Sequence, residues 1–237
     1  SINELTRGPK LLWEICKYAM GKPSIVGLGP TLVYCFWHSE PTIRNHDLQL
    51  TFAPASYRGG VQSEIDTEPG FTCAAWQQRP ESLGYIHART ADPYDKPAIQ
   101  PNYLDAEEDR RVVLAGMKLA RQLMHSAALA PFLDHEVYPG LHIQSDDELL
   151  QVARERGTTT YHMMGTCRMG PKTDPTAVVD DSLRIYGLEG LRVIDASIMP
   201  TMLSANLNAG AMLIGEKGSD LVLGKPALEP LILPEDA

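Results

Sequence analysis

The sequence has 237 residues, which is enough for one large domain or two small ones. Its hydrophobic content of 43% and charged content of 22% are ordinary for a globular protein. The net charge of −9, with no basic stripe in the sequence, argues against a nucleic-acid partner, and no apolar run approaches the length of a membrane span.

The first half of the chain predicts one helix followed by several strands. Residues 10–20 have helical apolar spacing, which stops at Gly21 and Pro23. Strands are predicted at residues 31–37, 48–53, 71–78 and 84–89, the first of them buried. Strands that follow one another without intervening helices predict an antiparallel sheet. Loops are predicted for the Asp- and Pro-rich residues 91–102 and for Arg58-Gly59-Gly60.

Capping signals predict two helices in the middle of the chain. Asp105 is the expected N-cap of the first, with Glu108 three residues later, and this helix ends near His125. Its apolar face is expected at Val113, Met117, Ala120 and Met124. Ser145 and Glu148 form a capping box for the second helix, which Gly157 ends.

The C-terminal part predicts one strand and a final helix. Residues 191–195 read as a buried strand with Asp195 at its carboxyl end. The final helix is expected from Asn208 to about Leu223, because Gly224 and Pro226 stop it. Residues 225–237 predict an extended surface tail.

The cysteines show no pattern that would indicate a metal site. They are scattered, with no CxxC pair and no histidine at zinc spacing, at positions Cys16, Cys35, Cys73 and Cys167. Buried structural thiols are therefore the prediction, with Cys167 as a small packed residue.

One histidine lies in a segment that is otherwise mostly apolar, small or glycine, Tyr161-His162-Met163-Met164-Gly165-Thr166-Cys167-Arg168-Met169-Gly170. Two further polar-in-apolar segments follow, at residues 195–200 and 206–210. This arrangement suits oxidation of an alcohol, which needs a base of near-neutral pKa for the hydroxyl proton and an amide to hold the oxygen. His162 is the candidate base, and a core histidine bonded to the backbone is the alternative. An asparagine of the last segment would supply the amide, and a helix N-cap is the alternative for Asn206.

Residues 161–224 resemble the C-terminal signature region of the glucose–methanol–choline (GMC) oxidoreductases, which are flavoenzymes. The elements that carry the resemblance come in the family's order, YH-x-x-GTCRMG, VVDDSLRIYGLEGLRVIDASIMPT and NLNAGAMLIGEKGSDLVLG. Weaker similarity extends upstream, through residues 79–86 and 101–104. The resemblance implies FAD-dependent oxidation of an alcohol to an aldehyde or ketone, and it is nearest to the choline and alcohol dehydrogenase branch.

The resemblance also implies roles for individual residues. His162 would take the hydroxyl proton or bind the developing alkoxide, with Asn206 as the second catalytic position. Asp195 and Ala196 would lie beside the ribityl–pyrophosphate part of FAD, although a turn cap is equally expected for Asp195. The backbone N–H groups of Leu207 and Asn208, at the start of the final helix, would face the flavin pyrimidine.

The family layout implies an α+β and α/β fold divided into three segments. Residues 1–155 would form a substrate domain of antiparallel sheet with helices, residues 156–224 would carry the catalytic motif and return to the FAD-binding domain, and residues 225–237 would be a tail. The family's N-terminal GxGxxG unit is not found, since Gly27-Leu28-Gly29 is followed by Pro30 and reads as a turn. The chain is therefore expected to be the C-terminal portion of a longer polypeptide.

Two alternative functions stay open. One is a non-redox lyase on the same fold, of the hydroxynitrile lyase type, and the other is a non-catalytic substrate-binding fragment. The expected partners are a small alcohol and the N-terminal FAD-binding portion of the same polypeptide, and no metal and no nucleic acid are expected. A homo-oligomer stays open, as does the choice between a cytoplasmic location and peripheral attachment to a membrane.

Overall fold

The computed structural model describes residues 1–29, 31–58, 64–229 and 231. The chain divides into two compact units, Ser1–Thr160 and Tyr161–Ala237. The family layout divides the chain by function, at residues 155/156 and 224/225, whereas these two units are divided by compactness. The functional assignment of the three segments stays a prediction.

Regular secondary structure is concentrated in the first unit. The α-helices are α1 Gly8–Ala19, α2 Glu107–Met124, α3 Asp146–Arg156 and α4 Asn208–Leu223. The strands are β1 Val33–Trp37, β2 Leu48–Ala53, β3 Tyr57–Arg58, β4 Glu64–Ile65, β5 Thr72–Gln77, β6 Tyr85–His87 and β7 Ala98–Gln100. Short 3₁₀ helices occur at Ile2–Leu5, Ile25–Gly27, Ala130–Phe132 and Ala196–Ile198.

The main sheet of the first unit is antiparallel, in the order β1-β2-β5, as the sequence predicts. In its central strand, Leu50 lies opposite Cys35 on one side and Ala75 on the other. The core forms where Leu48 and Leu50 pack against Val112 and Ala120 of α2. The remaining strands form two separate antiparallel pairs, β3-β4 and β6-β7.

Two strand predictions and one loop prediction are wrong. The first predicted strand is not buried, because β1 has one paired neighbour among the described residues and its Tyr34 is 54% exposed. The predicted loop 91–102 contains β7, which pairs with β6. Residues 191–195 form no strand, since only Arg192 pairs, in an isolated bridge with Arg184. The backbone of this segment is instead bonded to the turn before it, through Ile185 N–H to Leu191 O at 3.1 Å and Val193 N–H to Leu183 O at 3.1 Å.

The start of α2 also differs from the prediction. Its N-cap is Ala106 and not Asp105, because the hydroxyl of Ser82 accepts the Ala106 N–H at 3.0 Å. The buried face runs through positions 109, 112, 116 and 120, so only Ala120 of the predicted face is fully buried. Asp109 is buried, and its carboxylate accepts the N–H groups of Glu81 at 2.8 Å and Ser82 at 2.9 Å. These hydrogen bonds offset the cost of removing the carboxylate from water.

The other helix predictions are confirmed. The capping box of α3 is present, with Glu148 N–H donating to the Ser145 hydroxyl at 3.3 Å and the Glu148 carboxylate accepting Ser145 N–H at 2.9 Å. The hydrogen bonds that the Ser145 backbone N–H and then its hydroxyl donate to the carboxylate lower the pKa of Glu148. The helix α4 has the predicted bounds and ends at Gly224, which has the left-handed backbone conformation common after a helix.

The orientation of α1 is unusual for an amphipathic helix. Its buried residue is Glu14, which pairs with Lys17 and accepts the N–H of Ile25 at 3.1 Å. Leu12 and Trp13 are more than half exposed. The apolar side of α1 therefore faces solvent in this chain.

The cysteines are unbonded, and the prediction of buried thiols is wrong for Cys16, which is exposed. Cys35, Cys73 and Cys167 are partly buried. Burial, together with the neighbouring Cys35, raises the pKa of Cys73 to about 11. In the loop predicted at Arg58-Gly59-Gly60, Arg58 ends β3 and the two glycines lie outside the described residues. Of the predicted tail, residues 225–229 and 231 are exposed and irregular, and the rest lies outside the described residues.

The second unit is built around α4 and a core of turns. Val179, Leu183 and Ile198 are the buried residues of its core cluster, with Ile214 and Leu221 of α4 packed against them. The helix approaches closely at Gly218, where an added β-carbon would lie 2.2 Å from Cγ2 of Ile194. This packing holds the short helix Ala196–Ile198 and α4 in one body.

Candidate active site

The segment that carries His162 lies along the 3₁₀ helix Ala196–Ile198. The N–H of Cys167 donates to the carbonyl of Ser197 at 2.9 Å, and the N–H of Met169 donates to the carbonyl of Ile198 at 2.7 Å. Gly165 has φ +82° and a β-carbon there would lie 3.4 Å from the carbonyl oxygen of Met199. At Gly165 the chain has a backbone conformation that L side chains rarely adopt, and this conformation brings the His162 segment against the residues of the 3₁₀ helix and Met199.

Asp195 begins this 3₁₀ helix. One oxygen of its carboxylate accepts the N–H of Ser197 at 2.8 Å, so the turn-cap role expected for Asp195 is confirmed. Ala196 is the first residue of the helix, and its carbonyl accepts the N–H of Met199 at 3.2 Å. Asp195 is exposed and Ala196 is half-buried.

His162 and Asn206 meet directly. Nδ2 of Asn206 lies 2.9 Å from Nε2 of His162. Because an amide nitrogen only donates, this contact requires Nε2 as the acceptor, which corresponds to the neutral tautomer with its proton on Nδ1. The contact partner of Nε2 is a side chain, so the alternative of a backbone-bonded core histidine does not describe this nitrogen. His162 is half-buried and Asn206 is exposed, which leaves the pair accessible in this chain.

The start of α4 is not capped by a side chain. Its N-cap is Leu207, so Asn206 is not the N-cap, and the helix-cap alternative for it is wrong. Asn208 is the first helical residue, and its side-chain amide lies 3.8 Å from Sδ of Met212. The backbone N–H groups at the start of a helix have no intrahelical acceptor and carry partial positive charge, so this end of α4 is suited to an electron-rich ligand group.

The second unit contains every residue predicted for the site. His162 pairs with Asn206, and Leu207 and Asn208 follow at the start of α4. Asp195 and Ala196 lie in the short helix that supports the His162 segment.

Two features of the site could not be read from the sequence. Tyr161 has φ +59°, which is uncommon for a bulky residue, and no local sequence signal predicts it. Arg168 has a buried Nε that lacks a hydrogen-bond partner among the described residues. Its charge also acts on Asp174, whose pKa is lowered first by the Thr176 hydroxyl and backbone N–H and then by Arg168.

Metal ligation and membrane spanning were also considered. Within the described ranges, no three His, Cys, Asp or Glu side chains converge on a point where a metal ion could sit. None of the helices in those ranges combines the length and apolar composition that crossing a bilayer requires.

Residues 80–215, more than half of the chain, match the protein family described as GMC oxidoreductase. The chain belongs to the GMC oxidoreductase family. Among curated relatives, it is 42% identical over 195 residues to the mitochondrial choline dehydrogenase of Homo sapiens, an alignment that covers 81% of this chain and 32% of the relative. It is 39% identical over 188 residues to an oxygen-dependent choline dehydrogenase of Escherichia coli, covering 79% of this chain and 32% of the relative.

Solved structures agree with this GMC fold. Pyridoxine 4-oxidase from Mesorbium loti superimposes with a TM-score of 0.74 at 24% identity, covering 84% of this chain and 39% of that chain. Formate oxidase of Aspergillus oryzae superimposes with a TM-score of 0.78 at 21% identity, covering 92% of this chain and 42% of that chain. At these identities the likeness establishes the fold alone.

The chain spans about a third of the length of the curated relatives that it matches. Antiparallel sheet, helices and the motif-bearing C-terminal unit are thus the part of the GMC fold that this chain contains.

Proposed function

We propose that this chain carries the proton-transfer site of an FAD-dependent alcohol oxidoreductase that converts an alcohol to an aldehyde or ketone. The observation that carries the proposal is the 2.9 Å contact between His162 Nε2 and Asn206 Nδ2. A lone pair and an amide N–H converge there, and a hydroxyl group, which both donates and accepts a hydrogen bond, is complementary to such a pair.

The two side chains have different tasks in this proposal. On binding, the substrate hydroxyl replaces the Asn206 N–H at the single lone pair of Nε2 and donates to it, while the hydroxyl oxygen accepts an N–H of Asn206. As the carbinol carbon loses its hydride, the hydroxyl proton passes to Nε2, and the developing negative charge on oxygen is stabilised by the Asn206 N–H. The neutral imidazole described above is the form that can accept this proton. An asparagine cannot act as a base, so His162 is the proton acceptor of the pair.

FAD is the proposed cofactor, and the residues of this chain fit it. When bound, FAD supplies the hydride acceptor. The uncapped start of α4 offers the N–H groups of Leu207 and Asn208 to an electron-rich edge of the flavin. Asp195 and Ala196 lie at the start of the 3₁₀ helix along which the His162 segment runs. A structural relative at 27% identity and a TM-score of 0.61 is named as an FAD-dependent oxidoreductase from Chaetomium thermophilum.

The proposed partner of this chain is an N-terminal FAD-binding portion of the same polypeptide. The length of the choline dehydrogenases, of which this chain matches about a third, supports this partner. Their names also make choline, a small quaternary-ammonium alcohol, the first substrate to test. A homo-oligomer and attachment to a membrane surface stay predictions of the sequence.

The test is anaerobic reduction of bound flavin by an alcohol, followed by its absorbance, in the complete polypeptide. His162→Ala is expected to slow flavin reduction by about 10² to 10⁴, because a positioned general base contributes that much. The matched control is His135→Gln, since His135 is exposed and pairs with the adjacent Asp134. Reduction by His162→Ala at the wild-type rate would contradict the assignment of the base. Cleavage of a cyanohydrin without flavin bleaching would support the lyase instead.

A further inference from the structure

The two halves of the candidate site are supported by one common residue, Met199. This side chain is buried, at 6% exposure, directly after the 3₁₀ helix Ala196–Ile198. Its N–H donates to the carbonyl of Ala196 at 3.2 Å, which fixes its backbone to that helix.

Met199 touches the His162 side through its backbone. A β-carbon on Gly165 would lie 3.4 Å from the Met199 carbonyl oxygen, so the main chain three residues after His162 lies against Met199. The next turns of this segment are bonded to Ser197 and Ile198, immediately before Met199. The contacts of residues 165–169 with residues 197–199 therefore fix the position of the chain that follows His162.

Met199 touches the Asn206 side through its side chain. A β-carbon on Gly210 would lie 2.9 Å from Cε of Met199 and 2.7 Å from Cδ1 of Leu203. Gly210 is in the first turn of α4, four residues after Asn206. The thioether thus fills the space under the start of the helix, and it determines how closely that start approaches the 3₁₀ helix.

We propose that Met199 is a positioning residue that holds His162 and Asn206 at hydrogen-bonding separation. The inference rests on the proposed function for its catalytic consequence, but the separation itself can be measured without any activity. Shortening the side chain leaves a void under the first turn of α4, which lets Asn206 move away from Nε2 of His162.

The first experiment is histidine ¹⁵N NMR on the complete polypeptide with Met199→Leu, Met199→Val and Met199→Ala. The wild type is expected to show His162 as a single tautomer with its proton on Nδ1 and Nε2 hydrogen-bonded. Met199→Leu should retain this signature, because its volume is similar. Met199→Val and Met199→Ala should lose it progressively toward the mixed tautomers of an exposed imidazole. If Met199→Ala does not fold, the comparison of valine with leucine decides.

The second experiment measures kcat, KM and flavin reduction for the same variants in the complete polypeptide. Met199→Ala is expected to lower kcat by about 10- to 100-fold with little change in KM, because a displacement near 1 Å in a reacting pair has that effect. Met199→Leu should restore the wild-type kcat.

A matched control separates positioning from general destabilisation. Leu183→Ala removes another buried side chain of the same unit, at 5% exposure, from the core around Val179 and Ile198. It should lower stability and leave the His162 tautomer signature unchanged. The proposal is overturned if Met199→Ala and Met199→Val keep the wild-type NMR signature, or if Leu183→Ala alters it equally. Neither result depends on whether His162 is the base.

Discussion

Asn206 donates an amide hydrogen to Nε2 of His162 across 2.9 Å. The charge of the side chain at position 206 therefore affects how readily the His162 imidazole is protonated. Asn206→Asp places a carboxylate at this distance, which stabilises the protonated imidazole. Only the neutral imidazole accepts a proton, so the acidic limb of the kcat/KM–pH profile should move to higher pH by about one unit or more. The profile of the complete enzyme measures this directly.

The control for this variant is the same charge change in the other compact unit. Asn45→Asp adds one carboxylate at an exposed position of Ser1–Thr160. We expect its acidic limb to stay at the wild-type pH. Equal displacement of the limb in both variants would mean that net charge, and not contact with His162, causes the shift.

Two glycines of α4 make opposite predictions for stability. At Gly218 an added methyl would lie 2.2 Å from Cγ2 of Ile194, so Gly218→Ala should destabilise the chain by about 1–3 kcal/mol. At Gly215 an added β-carbon would meet no atom of the described residues within 4 Å beyond the neighbouring backbone of α4, and alanine is the better helix former. Gly215→Ala should therefore leave stability unchanged or raise it by up to about 1 kcal/mol. Urea unfolding of the two variants compares them, and equal midpoints would show that the contact with Ile194 costs nothing.

The ion pair at the start of α2 predicts a pH dependence of stability. The hydrogen bond from Arg111 is the main cause that lowers the pKa of Glu108 from its ordinary value of 4.5, against an opposing effect of desolvation. A lowered pKa in the folded state contributes stability above the ordinary value, and this contribution is lost as pH falls through the folded value. Unfolding measured between pH 6 and about pH 3 should thus depend on pH less steeply in Glu108→Gln than in the wild type.

Glu107→Gln is the matched control for that experiment, because Glu107 is the exposed neighbour and its substitution leaves the Arg111 contacts with Glu108 and Glu40 intact. Its stability should follow the wild-type dependence on pH. A wild-type slope in Glu108→Gln would assign the acid sensitivity to other carboxylates.

Thiol alkylation should separate the cysteines of the first unit. The thiolate is the reacting form, and burial raises the pKa of Cys73 to about 11, so few Cys73 thiolates are present at pH 8. Cys16 is exposed and should react first with iodoacetamide, as peptide mass spectrometry would record. Addition of urea should bring Cys73 to the rate of Cys16, and rapid labelling of Cys73 in the folded chain would disprove its burial.

Local signals in the sequence predicted the ends of helices well. Ser145 and Glu148 satisfy each other within one turn, and Gly224 ends α4 through its own backbone freedom, so both can be read without the rest of the fold. The His162–Asn206 pair was predicted through the family motif. It could not be derived from local pattern, because the two residues are 44 positions apart.

Features that depend on distant partners were missed for the same reason. The start of α2 shifts because Ser82, 24 residues earlier, supplies the acceptor for Ala106. Residues 98–100 form a strand only because Tyr85–His87 lies beside them. Residues 191–195 have the composition of a strand, but their hydrogen bonds go to a turn instead. Pairing choices of this kind are made by tertiary contacts, which override local preference.

The exposure of β1 has a practical meaning for handling this polypeptide in the test tube. A sheet edge offers unpaired backbone donors and acceptors to any other extended segment. In β1, Tyr34 and Trp37 add exposed aromatic surface, and the strand contains no charged residue. These 237 residues alone should therefore aggregate through the edge of β1, faster at high than at low protein concentration.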